Sequence, residues 1–118
     1  MKILILFIVI LCSVSSSAKI VLKGTVNPKK WSKYQGEMNW DAANRKCFSL
    51  GMKLPTRKEI KAAYKSKETN SWMKDGVIYW TSEIYSEGDV CVFNISDGTI
   101  DFFYNYYAKS VICIEKEK

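Results

Sequence analysis

Apolar residues fall at helical spacing in two short runs, and most of the chain after them alternates. Trp40, Ala43, Cys47 and Leu50 recur at spacings of three, four and three, which lines them up along one face of a helix. Asn39 stands at the N-cap position, and Asp41 falls in the first turn, where negative charge is favourable. Gly51 follows the last periodic residue and suits the left-handed conformation that ends a helix. Pro55 prevents continuation. Thr56 and Glu59 then form a T-x-x-E capping box, which starts a second helix at about Arg57. Its inner face is expected to be Ile60, Ala63 and Tyr64.

Residues 19–26 (KIVLKGTV) have the alternating, β-branched character of a strand, and Asn27-Pro28 marks a turn. Residues 29–38 read as a loop containing Trp31 and Tyr34. After the second helix, residues 65–76 are polar and read as an ordered loop anchored by Trp72. Residues 77–82 (VIYWTS) are apolar on both faces, the mark of a buried central strand. Residues 83–89 read as a loop through Ser86, Glu87 and Gly88. Residues 90–96 alternate, with Cys91, Phe93 and Ile95 on one face and Val92 and Asn94 on the other. Asp97-Gly98 predicts a two-residue hairpin turn, with residues 99–104 returning as the partner strand. Residues 105–109 turn again, 110–114 close the sheet, and EKEK is a solvated tail. Two short helices on a small twisted antiparallel sheet, ending in a hairpin and meander, make an α+β fold. Trp40, Trp72 and Trp80 lie on inner faces and read as core.

The 118 residues have room for one domain. The first 18 resemble an export leader: a basic Met-Lys start, the apolar run ILILFIVILCSV, then SSSA with Ser16 and Ala18 as the small residues of a cleavage site. About 12 apolar residues fall short of the roughly 20 that span a bilayer. Lipid attachment at Cys12 fits less well, because bulky Leu11 precedes it. The expectation is therefore a signal peptide over 1–18 and one domain over 19–118. The product would be secreted, periplasmic or on the cell surface, with no membrane insertion after cleavage. Export leaves Cys47, Cys91 and Cys113, of which two should pair in an oxidising compartment. Three pairings are open on sequence alone.

Charge is unevenly spread. The formal net charge is +6, from 18 basic and 12 acidic residues. Residues 45–67 carry Arg45, Lys46, Lys53, Arg57, Lys58, Lys61, Lys65 and Lys67 against Glu59 alone. Residues 75–108 carry Asp75, Glu83, Glu87, Asp89, Asp97 and Asp101 and no base. The chain is thus basic on its helices and acidic on its sheet loops. The absence of histidine excludes Ser-His and Cys-His nucleophilic sites. Neither a phosphate-cradling Gly-rich loop nor a C-x-x-C is present. No catalytic, cofactor or metal residues are expected, and nucleic acid is not an expected partner of an exported domain. Two binding surfaces stand out instead. Arg57, Lys58, Lys61 and Lys65 form a basic helix face suited to sulfated or other anionic groups. The run Phe102-Phe103-Tyr104-Asn105-Tyr106-Tyr107 cannot face inward throughout, because strand side chains alternate. Phe103, Tyr104, Tyr106 and Tyr107, with Asp97 at the turn, are candidate ligand contacts, since exposed tyrosines stack on sugars and anchor interfaces.

The pieces W-x-x-A-x-x-x-C at 40–47 and G-M-K-L-P-T-x-x-E-I at 51–60 resemble the bacterial Lcl C-terminal domain family, a branch of the C-type lectin-like fold. The match extends to Tyr79-Trp80-Thr81-Ser82, Asp97-Gly98 and Val111-Ile112-Cys113-Ile114, and covers about residues 31 to 114. Lys53 and Ile112 stand where arginines are usual in the family. The resemblance implies a Cys47–Cys113 disulfide, with Cys91 left as a free, buried thiol. That bridge would close a loop of about 67 residues. It also favours adhesion to sulfated polysaccharides, with which domains of this type are associated. The Glu-Pro-Asn and Trp-Asn-Asp triplets of calcium-dependent animal lectins are absent. The expected function is an exported, non-catalytic module that binds an extracellular glycan or a protein. The alternative is an accessory envelope protein that packs on another protein or on itself.

Overall fold

A computed structural model describes residues 30–117. The leader expected over 1–18, with Cys12, and the strand and turn expected over 19–28 lie outside those residues. The described residues form seven strands and two α-helices, in order β1 (Glu37–Met38), α1 (Trp40–Ser49), β2 (Met52–Lys53), α2 (Arg57–Lys65), β3 (Ile78–Ser86), β4 (Asp89–Asn94), β5 (Thr99–Tyr104), β6 (Lys109–Ser110) and β7 (Ile114–Glu115). A 3-10 helix, Glu68–Trp72, sits within the stretch expected to be loop. The main sheet has the order β1-β6-β3-β4-β5, and β2 pairs with β7 separately. The architecture is α+β.

Both helices start as their caps dictate. The Asn39 side chain accepts from the Ala42 N–H at 2.9 Å, and Thr56 and Glu59 complete a reciprocal capping box. Ala43 and Cys47 of α1 and Ile60 and Ala63 of α2 are buried. Leu50 departs from expectation and is 45% exposed. The helix ends at Ser49, the Leu50 N–H donates to the Cys47 carbonyl and the Gly51 N–H to the Phe48 carbonyl, and the chain swings away at Gly51, where φ is +73°.

β3 is the central strand, buried on both faces. Trp80, with Val90 and Val92 of β4, packs against Ala43 and Cys47 of α1 and against Leu54, Val111 and Cys113. Tyr79, with Phe93, Ile95 and Ile112, packs against Ile60 of α2, and Trp31, Tyr34, Tyr64 and Trp72 close over it. Strand alternation thus sorts the core into an α1 side and an α2 side. The β3–β4 ladder breaks between the Trp80↔Val92 and Ile84↔Val90 pairs. The freed groups are taken up by both helical segments. The Trp40 indole donates to the Thr81 carbonyl at 2.9 Å. The Ser82 N–H donates to the Pro55 carbonyl at 2.9 Å, and the Thr81 hydroxyl donates to the Cys91 carbonyl at 2.8 Å.

Four further expectations are corrected. β3 runs on through Ser86, so 83–86 is strand and not loop, and the hairpin turns at Glu87-Gly88 with Gly88 at φ +83°. The β4–β5 turn is not two residues long but spans 95–98, because Asn94 pairs with Thr99 and Ile95 is drawn into the core. There the Asn94 carbonyl accepts the Gly98 N–H at 2.8 Å. The sheet is mixed rather than antiparallel: the chain leaves β5 at one edge, passes β4 and β3, and enters as β6 parallel to β3. Finally, 110–114 is divided between β6 and β7, and the stretch before α1 supplies β1, which pairs with β6.

Cys47 and Cys113 form a disulfide, both fully buried, and Cys91 is free and buried. The bridge ties α1 to the C-terminal segment, whose Cys113 backbone is also held from both sides by Ser32: the Ser32 N–H donates to the Cys113 carbonyl and the Cys113 N–H to the Ser32 hydroxyl. Residues 66 apart in sequence are joined, so the chain-entropy model assigns the bridge about 4 kcal/mol. Cys47→Ala together with Cys113→Ala should lower the unfolding free energy by about that amount, read from urea denaturation. A loss near zero would mean that packing alone holds the two segments.

Candidate binding face

The register of β5 decides which of its side chains meet α2. Ile100, Phe102 and Tyr104 stand opposite Phe93, Cys91 and Asp89 of β4. Phe93 lies beneath α2, its ring 5.6 Å from that of Tyr64. The turn into β5 is seated on the same helix: a Cβ on Gly98 would fall 2.6 Å from the Tyr64 ring. Ile100 therefore emerges beside the start of α2, where it lines a depression with Arg57, Lys58, Lys61 and Glu83. The basic helix face and the aromatic strand, separate in sequence, meet here.

The electrostatics of the depression follow from one ion pair. The Arg57 guanidinium binds the Glu83 carboxylate, and the Arg57 backbone N–H donates to that carboxylate at 3.3 Å. The hydrogen bond and charge of Glu83 hold Arg57 above its ordinary pKa. Glu83 neutralises Arg57 and leaves Lys58 and Lys61 exposed without an ion pair among the described residues. One step along β5 from Ile100, Phe102 lies flat against Tyr85 of β3, with centroids 4.2 Å apart and planes 3° from parallel. Both rings remain open, Tyr85 at 60% and Phe102 at 42% exposure. Tyr104 continues the row over the β3–β4 turn, where a Cβ on Gly88 would meet its ring at 2.8 Å, and Tyr106 packs edge-on to it at 4.8 Å.

The other candidate residues lie elsewhere. Phe103 points to the α1 side, half-buried against the core, with the Lys109 ammonium 3.7 Å from its ring centroid. Tyr107 meets Phe103 edge-on at 6.0 Å. The Asp97 carboxylate caps its own turn, accepting the Thr99 N–H at 3.1 Å and hydroxyl at 2.7 Å. Lys65, at the far end of α2, is exposed but does not line the depression. Tyr85, Ile100 and Glu83 belong to the face and were not foreseen. The available signal was S-E-G-D at 86–89 between alternating apolar residues, a hairpin turn rather than a loop. Among the described residues no group of three His, Cys, Asp or Glu is placed to hold a metal ion. No helix of the described residues is long and apolar enough to cross a membrane. No known family model matches the chain, and no curated protein is similar to it in sequence.

Cys91 stands opposite Phe102 in the β4–β5 register and is buried. Burial pushes its thiol pKa up, and the nearby Arg57 charge only partly opposes this. The fold favours the neutral thiol. That contribution is complete below the ordinary thiol pKa of about 8.5 and is lost as pH rises through the higher folded value. Alkylation of native Cys91 at pH 8 should be about 100-fold slower than in urea, as for a group reached only on opening. Cys91→Ala should also flatten the loss of stability between pH 8 and 10. Native and unfolded protein reacting at equal rates would contradict the placement.

Proposed function

We propose that the protein is an exported, non-catalytic binding module that holds an extracellular anionic glycan, sulfated polysaccharide above all, across the α2–β5 face. The observation that carries this reading is the face-to-face Tyr85–Phe102 stack on the strand whose Ile100 lines the depression with Lys58 and Lys61, two lysines without an ion pair among the described residues. A flat, rigid ring pair offers a surface on which the C–H face of a sugar stacks. Ammonium groups on the same face suit sulfate or carboxylate substituents. The resemblance of residues 31–114 to the Lcl C-terminal domain, and through it to the C-type lectin-like fold, supports the same reading. Two helices on a sheet, with α1 disulfide-bonded to the C-terminal segment, are compatible with that fold.

A second reading, a docking face for another envelope protein, draws support from the same exposed apolar row of Tyr85, Ile100, Phe102 and Tyr104. Strand addition to β5 is disfavoured. The Asn105 N–H bonds the Gly88 carbonyl across β4, so alternation turns the Phe102 and Tyr104 backbone groups to the outer edge. There Asp101 accepts the Phe102 N–H at 2.8 Å and the Tyr107 N–H occupies the Tyr104 carbonyl at 3.1 Å. A charge on the edge and occupied hydrogen-bonding groups are how sheet edges avoid pairing.

Binding to dextran sulfate, measured by calorimetry at low salt, tests the glycan reading. Lys58→Glu with Lys61→Glu should weaken binding at least about tenfold, and Phe102→Ala about fivefold, as for central contacts of an interface. Lys65→Glu should matter less. Affinity should fall as salt rises and be indifferent to calcium. Wild-type affinity in both the lysine and the Phe102 variants would remove the face from consideration. Absence of glycan binding, with Phe102 protected in a complex, would favour the protein-docking reading.

A further inference from the structure

The α2–β5 face is unequal at its two ends. At the α2 end, Lys58 and Lys61 line the depression with Ile100. At the other end, Tyr104 stands opposite Asp89 in the β4–β5 register, so their side chains share one side of the sheet. Glu87 is exposed in the turn just before, and the Tyr104 ring lies against Gly88 of that turn, where an added Cβ would meet it at 2.8 Å. The Asp89 carboxylate accepts the Ser86 hydroxyl at 3.2 Å, and neither Glu87 nor Asp89 has an ion pair among the described residues. Lys109, the first base after the row in sequence, holds its ammonium over Phe103 on the α1 side. One end of the face is thus cationic and the other anionic.

Between those ends the row is long and open. Ile100, Phe102 and Tyr104 alternate onto one side of β5, and the strand rise sets the first and last about 13 Å apart. Tyr106 extends the row, its ring centroid 4.8 Å from that of Tyr104. A pyranose takes up about 5 Å of a chain, so a row built on this strand rise is about three sugars long. Its rings are open, from Phe102 at 42% to Tyr106 at 66% exposure. Rings this open make a platform for the faces of a continuing chain and do not wall in one terminal sugar. We infer, resting on the reading of this face as a glycan site, that its ligand is an internal run of a chain with uneven charge. A sulfated or carboxylated sugar sits over Lys58 and Lys61, and uncharged sugars stack along Phe102, Tyr104 and Tyr106. Both ends contribute to the selection: the lysines attract anionic substituents, and Glu87 and Asp89 repel them. A chain sulfated on every sugar satisfies the first end and is opposed at the second.

The test is calorimetry of the full chain with dextran sulfate fractions of about two and about six sugars, each at sparse and at dense sulfation, since affinity should grow with the number of rings covered. The longer sparse fraction should bind at least about tenfold tighter than the shorter one, and Tyr106→Ala should weaken the longer about fivefold while leaving the shorter unchanged. Simple attraction between polyion and protein also grows with length but is indifferent to Tyr106→Ala. Glu87→Lys should raise affinity for the dense longer fraction about tenfold and for the sparse one less than about twofold. Glu37→Lys makes the same change of charge on β1, at the opposite edge of the sheet from β5, and should do neither. Tyr106, Glu87 and Glu37 are exposed, so near-UV circular dichroism should stay native. A neutral Tyr106→Ala at both lengths, or equal effects of Glu87→Lys and Glu37→Lys, would overturn the inference. The glycan reading would survive that result if Phe102→Ala still weakened both lengths. Binding by no fraction, or binding indifferent to Phe102→Ala and to Lys58→Glu with Lys61→Glu, would remove the glycan reading and the inference together.

Discussion

The structure depends on one strand buried from both sides. β3 carries Trp80 into the α1 side of the core and Tyr79 into the α2 side. A strand covered on both faces by helices must satisfy every backbone group that leaves the ladder. At Thr81–Glu83 the ladder with β4 opens, and three of the backbone groups there have definite partners. The Thr81 carbonyl takes the Trp40 indole, the Ser82 N–H takes the Pro55 carbonyl, and the Glu83 N–H takes the Thr81 hydroxyl. The same irregularity that costs ladder bonds therefore fixes where both helices sit. β-bulges are known to re-aim side chains in this way, and here the re-aimed side chain is Glu83, which meets Arg57.

That geometry places the α2–β5 face. α2 is held mainly by burial of Ile60 and Ala63, by Tyr64 on Phe93, and by its capping box. The Arg57–Glu83 pair is solvent-accessible, and exposed pairs contribute little to stability. Its consequence is electrostatic: it cancels one cation and one anion at the centre and leaves Lys58 and Lys61 to dominate the rim. Beyond it, the extension of β3 through Ser86 brings Tyr85 level with Phe102 across β4. Without that extension the flat ring pair would not exist.

Much of the fold was legible because local chemistry decided it. The caps at Asn39 and Thr56, the helical spacing of Ala43 and Cys47, and the double-sided apolarity of 77–82 each pointed to one structure. The Cys47–Cys113 pairing, implied by resemblance, is present. Features set by distant contacts were illegible. Polar Ser86, Glu87 and Gly88 look like a loop until β4 pairs with the residues before them. Asp97-Gly98 looks like a two-residue turn until the core claims Ile95. The parallel placement of β6 depends on a chain path that no local pattern encodes. Of the candidate contacts grouped on one surface, Phe103 belongs to the α1 side and Tyr104 to the other, as strand alternation requires. Only the register with β4 and the seat of α2 showed that Ile100 joins the aromatic row to the lysines.

The central claim is that one face, built from α2 and from the β3–β5 strands, acts as a unit. Backbone amide NMR shifts followed while a sulfated oligosaccharide is titrated test it most directly. The account predicts a single set of perturbations at 57–61, 83–85 and 99–104, moving with one shared affinity, while 45–53 and Lys116 stay unmoved. Perturbations confined to the lysine-bearing residues, or scattered over all basic positions with different affinities, would show unspecific charge attraction and contradict it.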